Sequence, residues 1–319
     1  MSVVIISTGG TIAATEDDGG DASPDLSGGE IAESVPGLQN LTEIETDDFS
    51  TVPSPHFTIE QMYDLVVKIR DLDRNSDVEG IVVTQGTDIL EESAYFVSLC
   101  YDGSTPVAFT GAMRGPSLAS PDGPVNVLDS VRTTLNCAET TANVFVVFNN
   151  RIHPARSVTK THSMAVDTFR SPEFGPLGFV EEDRVVWRRG HVEPDETFDP
   201  TPERLTNDVH AVTITADSPP GQIHAAADAD GLCFAALGVG HVPQTLLDPL
   251  RDLTEIGVPV VATTRCPEGR VARHTYDFPG SEQTIRDELS IPVSDRNLQK
   301  TRIKTIVALA AGRFETAFS

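Results

Sequence analysis

Four short runs rich in β-branched residues, at positions 3–6, 80–83, 107–110 and 144–148, are separated by segments long enough to carry the chain back to the start of the next run. Apolar runs of this length are too short for buried helices and read as strands covered on both faces. The segments between them carry helical patterns. Residues 58–72 (TIEQMYDLVVKIRDL) open with a Thr cap followed by Glu60, and place Ile59, Met62, Leu65, Val66 and Ile69 at helical spacing. Residues 88–99 and 126–135 repeat the pattern. Strands joined by helix-length crossovers define a doubly wound, mostly parallel sheet, and sites in such sheets lie beyond the carboxyl ends of the strands. IISTGG (5–10) and VVTQGTD (82–88) both sit at such ends.

Proline and acid crowd residues 193–202 (EPDETFDPTP), as in a surface linker. Beyond it, 210–215, 232–237 and 258–263 read as strands, and 244–256 and 298–311 as helices. The expectation is an α/β protein: a larger N-terminal domain over 1–192, a linker over 193–207, and a smaller C-terminal α/β domain over 208–319.

Charge narrows the functional classes. Forty-eight acidic residues against 23 basic ones give a formal charge of −25, which opposes nucleic acid and anionic membranes as partners. Only four basic residues are lysines (Lys68, Lys160, Lys300, Lys304). Carboxylates in such excess suit a salt-rich cytosol, where screening weakens their mutual repulsion. No apolar run approaches the roughly 20 residues that span a bilayer, and the N-terminal run is too short for a signal peptide, so a soluble cytoplasmic protein is expected. Cys100, Cys137, Cys233 and Cys266 lack the close spacing of a metal or redox motif and read as reduced, mostly buried thiols. His153, His162 and His241 are too dispersed to define a metal site.

Three segments carry chemistry. The glycine pair Gly9-Gly10 lacks the lysine of a P-loop and the full dinucleotide fingerprint, which argues against nucleotide binding. It lets the backbone approach a small ligand, with Thr11 in a loop whose N–H groups can stabilise an oxyanion; a tight turn capped by Thr11 is the plainer alternative. Thr87 and Asp88 end a second strand, where Asp88 is also a natural helix N-cap. The segment SVTKTH (157–162) contributes Lys160, and a lysine can surrender its proton when desolvated, as an arginine cannot. Set beside Thr87 and Asp88, its amine can serve as base or proton shuttle for a hydroxyl; a surface lysine is the alternative. Asp122 reads as a helix cap ahead of Pro124 that shapes the site wall. The Gly- and Asp-rich loop 16–25 suits either a mobile lid or a solvated loop.

TGGTIA (8–13), QGTDILEESAYF (85–96), TGAMR (110–114), SPDGPVN (120–126) and SVTKTHSMAVDTFRSPEFGPLG (157–178) together resemble the bacterial-type L-asparaginase family, in order and over essentially the whole chain. The resemblance implies a threonine amidohydrolase that converts L-asparagine to L-aspartate and ammonia through an acyl-enzyme. It implies a dimer or dimer of dimers, and neither metal nor cofactor. By the same resemblance Thr11 is the attacking threonine; Thr87, Asp88 and Lys160 form a second triad, with Asp88 also holding the substrate ammonium; Ser54 grips the α-carboxylate; and Gly10, Gly86 and Ala112 offer backbone contacts. A zwitterionic substrate does need an anion for its ammonium and donors for its carboxylate.

Two positions depart from the family pattern. Leu26 stands where a loop tyrosine usually bonds the first threonine, and Tyr276, brought from a neighbouring subunit, is a candidate replacement. Pro55 stands where many relatives have a glutamine that contacts substrate, which implies weaker affinity or altered discrimination between asparagine and glutamine. Two rival readings remain. The amidase subunit of the archaeal tRNA-dependent amidotransferase shares this catalytic domain, but it carries an N-terminal extension, whereas TGGTIA here begins at Thr8; a charge of −25 also suits tRNA poorly. A non-catalytic amino-acid sensor is the other.

Overall fold

The computed structural model describes residues 1–16, 22–24, 26–137, 143–190 and 196–318, and the chain divides into two compact units, Met1–Thr197 and Phe198–Ser319. In the first unit the N-terminal apolar run becomes β1 (Ser2–Ser7), followed by a short hairpin of β2 (Ala14–Glu16) and β3 (Ala22–Pro24). Helix α1 (Gly28–Glu33) leads to β4 (Glu43–Asp48), and α2 (Ile59–Asp73) to β5 (Val78–Thr84). Next come α3 (Leu90–Cys100), β6 (Val107–Thr110), α4 (Gly123–Leu135) and β7 (Val144–Phe148). The unit closes with β8 (Arg151–Pro154), the two-residue strands β9 (Thr159–Lys160) and β10 (Phe169–Arg170), β11 (Gly178–Glu181) and β12 (Arg184–Trp187).

Eight of these strands form one sheet in the order β12-β11-β8-β7-β6-β5-β1-β4. Neighbours from β4 to β7 run parallel, and the remaining three strands are added antiparallel. The four β-branched runs supply the middle of this sheet. Alternate side chains, Val3, Ile5, Val82, Ala108, Phe145 and Val147, share a core with Ile31 and Ala32 of α1 and Val127 and Val131 of α4. Their neighbours Val4, Ile6, Val83, Phe109 and Val146 point to the other face and are equally buried. Helix α2 starts at a capping box in which Thr58 and Gln61, rather than Glu60, satisfy each other's amides.

The outer strand β4 carries no apolar run. Its sequence EIETDD is mostly exposed and acidic, a composition that discourages pairing by a further strand at the sheet edge.

The second unit holds a parallel three-stranded sheet of β13 (Val209–Thr213), β14 (Gly231–Ala236) and β15 (Val260–Thr264). Helices α5 (Gly221–His224), α6 (Leu247–Glu255), α7 (Leu298–Ala310) and α8 (Phe314–Ala317) complete it. Leu232, Phe234, Leu250, Leu253 and Ile285 anchor its own core. The two-part α/β architecture read from the sequence is present, with a larger N-terminal unit built on a mostly parallel sheet. Among the described residues no helix is long and apolar enough to cross a membrane.

Candidate active site

The carboxyl ends of β1 and β5 are neighbours in register, Ser7 opposite Thr84, so the loops that follow must share one space. They do so through two glycines. A methyl group on Gly10 would lie 2.2 Å from Gly86 N and 2.3 Å from Gly86 Cα, and Gly10 itself has φ 94° and ψ −176°, a region essentially reserved for glycine. On its other side Gly86 faces Ser54: a methyl there would lie 2.5 Å from Ser54 Cβ and 2.7 Å from Ser54 Oγ. Gly10, Gly86 and Ser54, three separate expectations of the sequence, therefore converge on one spot. Thr11 follows immediately and opens a short 3-10 turn, partly exposed, with Ile12 and Ala13 buried behind it. Gly10, not Thr11, holds the N-cap position of that turn, and the turn has no side-chain cap.

Thr87, Asp88 and Lys160 are joined directly. Lys160 Nζ donates to Thr87 Oγ1 at 2.9 Å and to Asp88 Oδ1 at 2.8 Å, across more than 70 residues of chain. Lys160 is not a surface lysine: its side chain keeps 17% of its exposure, whereas that of Asp88 keeps 61%. Lysine and hydroxyl are thus shielded, and the carboxylate faces outward, open to a cation. The N-cap alternative for Asp88 is overturned. Helix α3 begins at Leu90 with Ile89 in the cap position and no side-chain cap, because the charge-assisted bond to Lys160 claims the carboxylate that would otherwise accept helix amides.

The wall formed by residues 110–114 is held by Asp122. Its carboxylate accepts the N–H groups of Met113 (3.0 Å) and Arg114 (2.8 Å) and the Asn126 amide at 3.3 Å. Asp122 does occupy the N-cap position of α4, yet it makes no cap bond, so its role as a helix cap is corrected to that of a loop tie. Asn126 adds a bond to Gly111 O at 3.0 Å. A methyl on Gly111 would lie 3.4 Å from Thr87 Cγ2, which sets this loop against the triad. Ala112, 1% exposed, sits in it.

Leu26 takes a structural position. Its N–H donates to Ala13 O at 2.9 Å and its side chain packs against the sheet core, so it offers Thr11 no polar group. The proposed lid falls largely on residues 17–21 and 25, outside the described residues. Pro55 is exposed in the turn Ser54–His56. In the second unit Tyr276 is 45% exposed, with its ring edge-on to His241 at 4.9 Å.

The remaining histidines and cysteines have separate settings. His153 is buried with Nδ1 3.0 Å from Ser171 Oγ, His162 Nδ1 accepts the N–H groups of Met164 and Ala165, and His241 Nε2 lies 3.2 Å from Glu282 Oε2. Among the described residues no three His, Cys, Asp or Glu side chains are grouped as a metal would require. None of the four cysteines is in a disulfide; Cys266 is exposed rather than buried, and burial pushes the Cys137 thiol up to about 12.

Sequence reasoning missed one residue of this neighbourhood. Glu91, on the first turn of α3, is 3% exposed, and its carboxylate accepts the main-chain N–H of Lys160 at 2.5 Å. The signal was an acid in an otherwise inward-facing stretch of helix, ILEESAYF.

Thr11 after its glycine pair, and the joined Lys160, Thr87 and Asp88, thus gather at the carboxyl ends of two neighbouring strands of a doubly wound sheet, where sites of α/β enzymes lie. Comparisons narrow the class. Residues 2–193 match the family model "Asparaginase, N-terminal" and residues 208–318 match "Glutaminase/Asparaginase C-terminal domain". The chain is 37% identical to a probable L-asparaginase of Deinococcus radiodurans over 97% of its own length and 93% of that relative. It is 32% identical to an L-asparaginase of Bacillus licheniformis over 97% and 95%. Its fold matches the crystal structure of a probable cytoplasmic L-asparaginase from Campylobacter jejuni with a TM-score of 0.86 and 28% identity, covering 99% of this chain and 98% of that one. The chain belongs to the bacterial-type asparaginase family.

Proposed function

We propose that the chain is an L-asparaginase that hydrolyses the side-chain amide of L-asparagine to L-aspartate and ammonia through an acyl-enzyme on Thr11. The observation that carries the site assignment is the contact of Lys160 Nζ with both Thr87 Oγ1 and Asp88 Oδ1, together with the close approach of Gly10 and Gly86, the residues that directly precede Thr11 and Thr87. Thr11 Oγ attacks the carboxamide carbon, and loop amides next to Gly10 and Gly86 stabilise the oxyanion. The proton of the hydroxyl passes to the departing amide nitrogen, which leaves as ammonia. Water, deprotonated through the Thr87–Lys160 pair, then attacks the ester and releases aspartate and free Thr11. Asp88, with most of its side chain exposed beside the pair, pairs with the substrate ammonium. Ser54 and the main chain near Ala112 orient the rest of the amino acid.

The enzyme works as a homodimer or a dimer of dimers in the cytoplasm of an organism with a salt-rich interior, its C-terminal domain contributing to the subunit interface and Tyr276 of that domain supplying a hydroxyl near Thr11 of a neighbouring copy. The excess of acid over base, −25, supports the salt assignment. Pro55, which has no side-chain amide, lowers affinity or alters discrimination between asparagine and glutamine. The test is ammonia release by the purified chain in concentrated KCl, with asparagine and with glutamine, beside a Thr11→Val variant. Asparagine turnover that vanishes in the folded variant is expected; turnover by Thr11→Val near the original rate overturns the proposal.

A further inference from the structure

Lys160 stands on a strand that does little to hold it. β9 is two residues long, and its ladder with β10 sets Lys160 opposite Phe169. Thr161 N donates across that ladder to Thr168 O at 2.8 Å. N–H groups alternate sides along an antiparallel strand, so the Lys160 N–H turns away from β10. The group it meets is the Glu91 carboxylate, 69 residues distant in sequence, at 2.5 Å.

A buried carboxylate is costly unless it accepts hydrogen bonds, and Glu91 is 3% exposed. Its place on the first turn of α3 also puts its charge at the favourable end of the helix dipole. More telling is what the same stretch of chain does a few atoms away. Residues 87–91 grip Lys160 at both ends: Thr87 and Asp88 take the ammonium, and Glu91 takes the main chain. A lysine side chain has four rotatable carbons and loses accuracy quickly when its anchor drifts. Fixing its backbone to the turn that carries Thr87 makes the distance between Nζ and Oγ1 a property of one local unit. It no longer depends on how β9 and the loop after it settle.

We infer that Glu91 is a positioning residue for amide hydrolysis: its carboxylate fixes the Lys160 backbone so that Nζ meets Thr87 Oγ1. This rests on the reading of Lys160 as the proton-transfer group. What the role requires is an acceptor at the right reach, not a charge. Glutamine keeps a carbonyl oxygen at that reach, and aspartate keeps the charge but withdraws the oxygen by one methylene.

The experiment measures kcat, KM, the pH profile of kcat and thermal melting for the full chain and for E91Q, E91D and K160M with L-asparagine. K160M is expected to be inactive while folded. E91Q rescues, holding kcat within about threefold of the parent with an unshifted pH profile, whereas E91D loses about tenfold or more in kcat at a KM within about twofold, its profile displaced. E91D with the parent's kcat and pH profile overturns the inference, as does E91Q falling as far as K160M. If E91D does not fold, E91Q decides by the same criteria. K160M active at the parent rate removes the reading of Lys160 and this inference with it; K160M inactive beside a fully active E91D removes the inference alone.

Discussion

Replacing Gly10 by alanine tests the junction on which the site is built. Gly10 has φ 94° and ψ −176°, a conformation that costs a residue with a side chain on the order of 1–3 kcal/mol. The added methyl would sit 2.2 Å from Gly86 N, where ordinary contact begins at 3.4 Å. Both partners are backbone, so neither can swing aside as a side chain would. The ends of β1 and β5 must therefore part by roughly 1 Å, and overpacking of that kind adds about 1–3 kcal/mol. The sum, on the order of 2–6 kcal/mol, leaves a protein of ordinary stability, about 5–15 kcal/mol, weakened and in most of that range still folded. Turnover suffers more, since moving Thr11 by about 1 Å relative to Thr87 costs on the order of 10²-fold. The assay is ammonia release from L-asparagine, with circular-dichroism melting on the same preparation. A folded Gly10→Ala protein whose kcat/KM stays within about threefold of the parent would refute the junction as the device that places Thr11.

Three further outcomes follow from particular contacts. Gly86→Ala drives a methyl into Ser54 Oγ, 2.7 Å away, and is expected to raise KM for asparagine by about tenfold or more; an unchanged KM contradicts the placing of Ser54 against substrate. Asp129, with 1% of its side chain exposed and Arg132 no nearer than 3.5 Å, has its carboxyl pushed up by burial to about 6 from 3.8, the Arg132 charge pulling the other way. The folded state thus binds the extra proton, so its stabilising contribution is full below pH 3.8 and lost as pH rises through about 6. Asp129→Asn should accordingly stabilise the protein at pH 7 by up to about 3 kcal/mol, with the gain disappearing in acid, and a destabilised variant at pH 7 in urea titrations contradicts this. Melting temperature should climb as KCl is raised from about 0.1 to about 2 M, because screening relieves repulsion within a chain of net charge −25; a flat response contradicts the salt assignment.

How much of this was legible beforehand depended on whether the signal was local. The central strands announced themselves because burial on both faces demands unbroken apolar runs, as in Val144–Phe148. The edge strand β4 did not, since EIETDD has neither an apolar run nor full burial, and it exists by pairing with β1. The short antiparallel strands β8, β11 and β12 were equally silent, each only four residues long. Glycines 10 and 86 could be read as turns, but that each is the other's neighbour depends on the register between β1 and β5. Asp88 satisfied every local rule for a helix cap, and a lysine 72 residues away took its carboxylate. Glu91 stood inside a recognised motif, yet its role is a bond to a main-chain N–H, which leaves no mark on the residue it holds.

The most direct measurement is to quench the purified enzyme during turnover of L-asparagine and locate the covalent aspartyl adduct by peptide mass spectrometry. An adduct on the peptide bearing Thr11, absent from Thr11→Val, is the predicted result. An adduct on the peptide bearing Thr87, or Thr11→Val turning over with its own adduct elsewhere, would contradict the assignment of Thr11 as the attacking group.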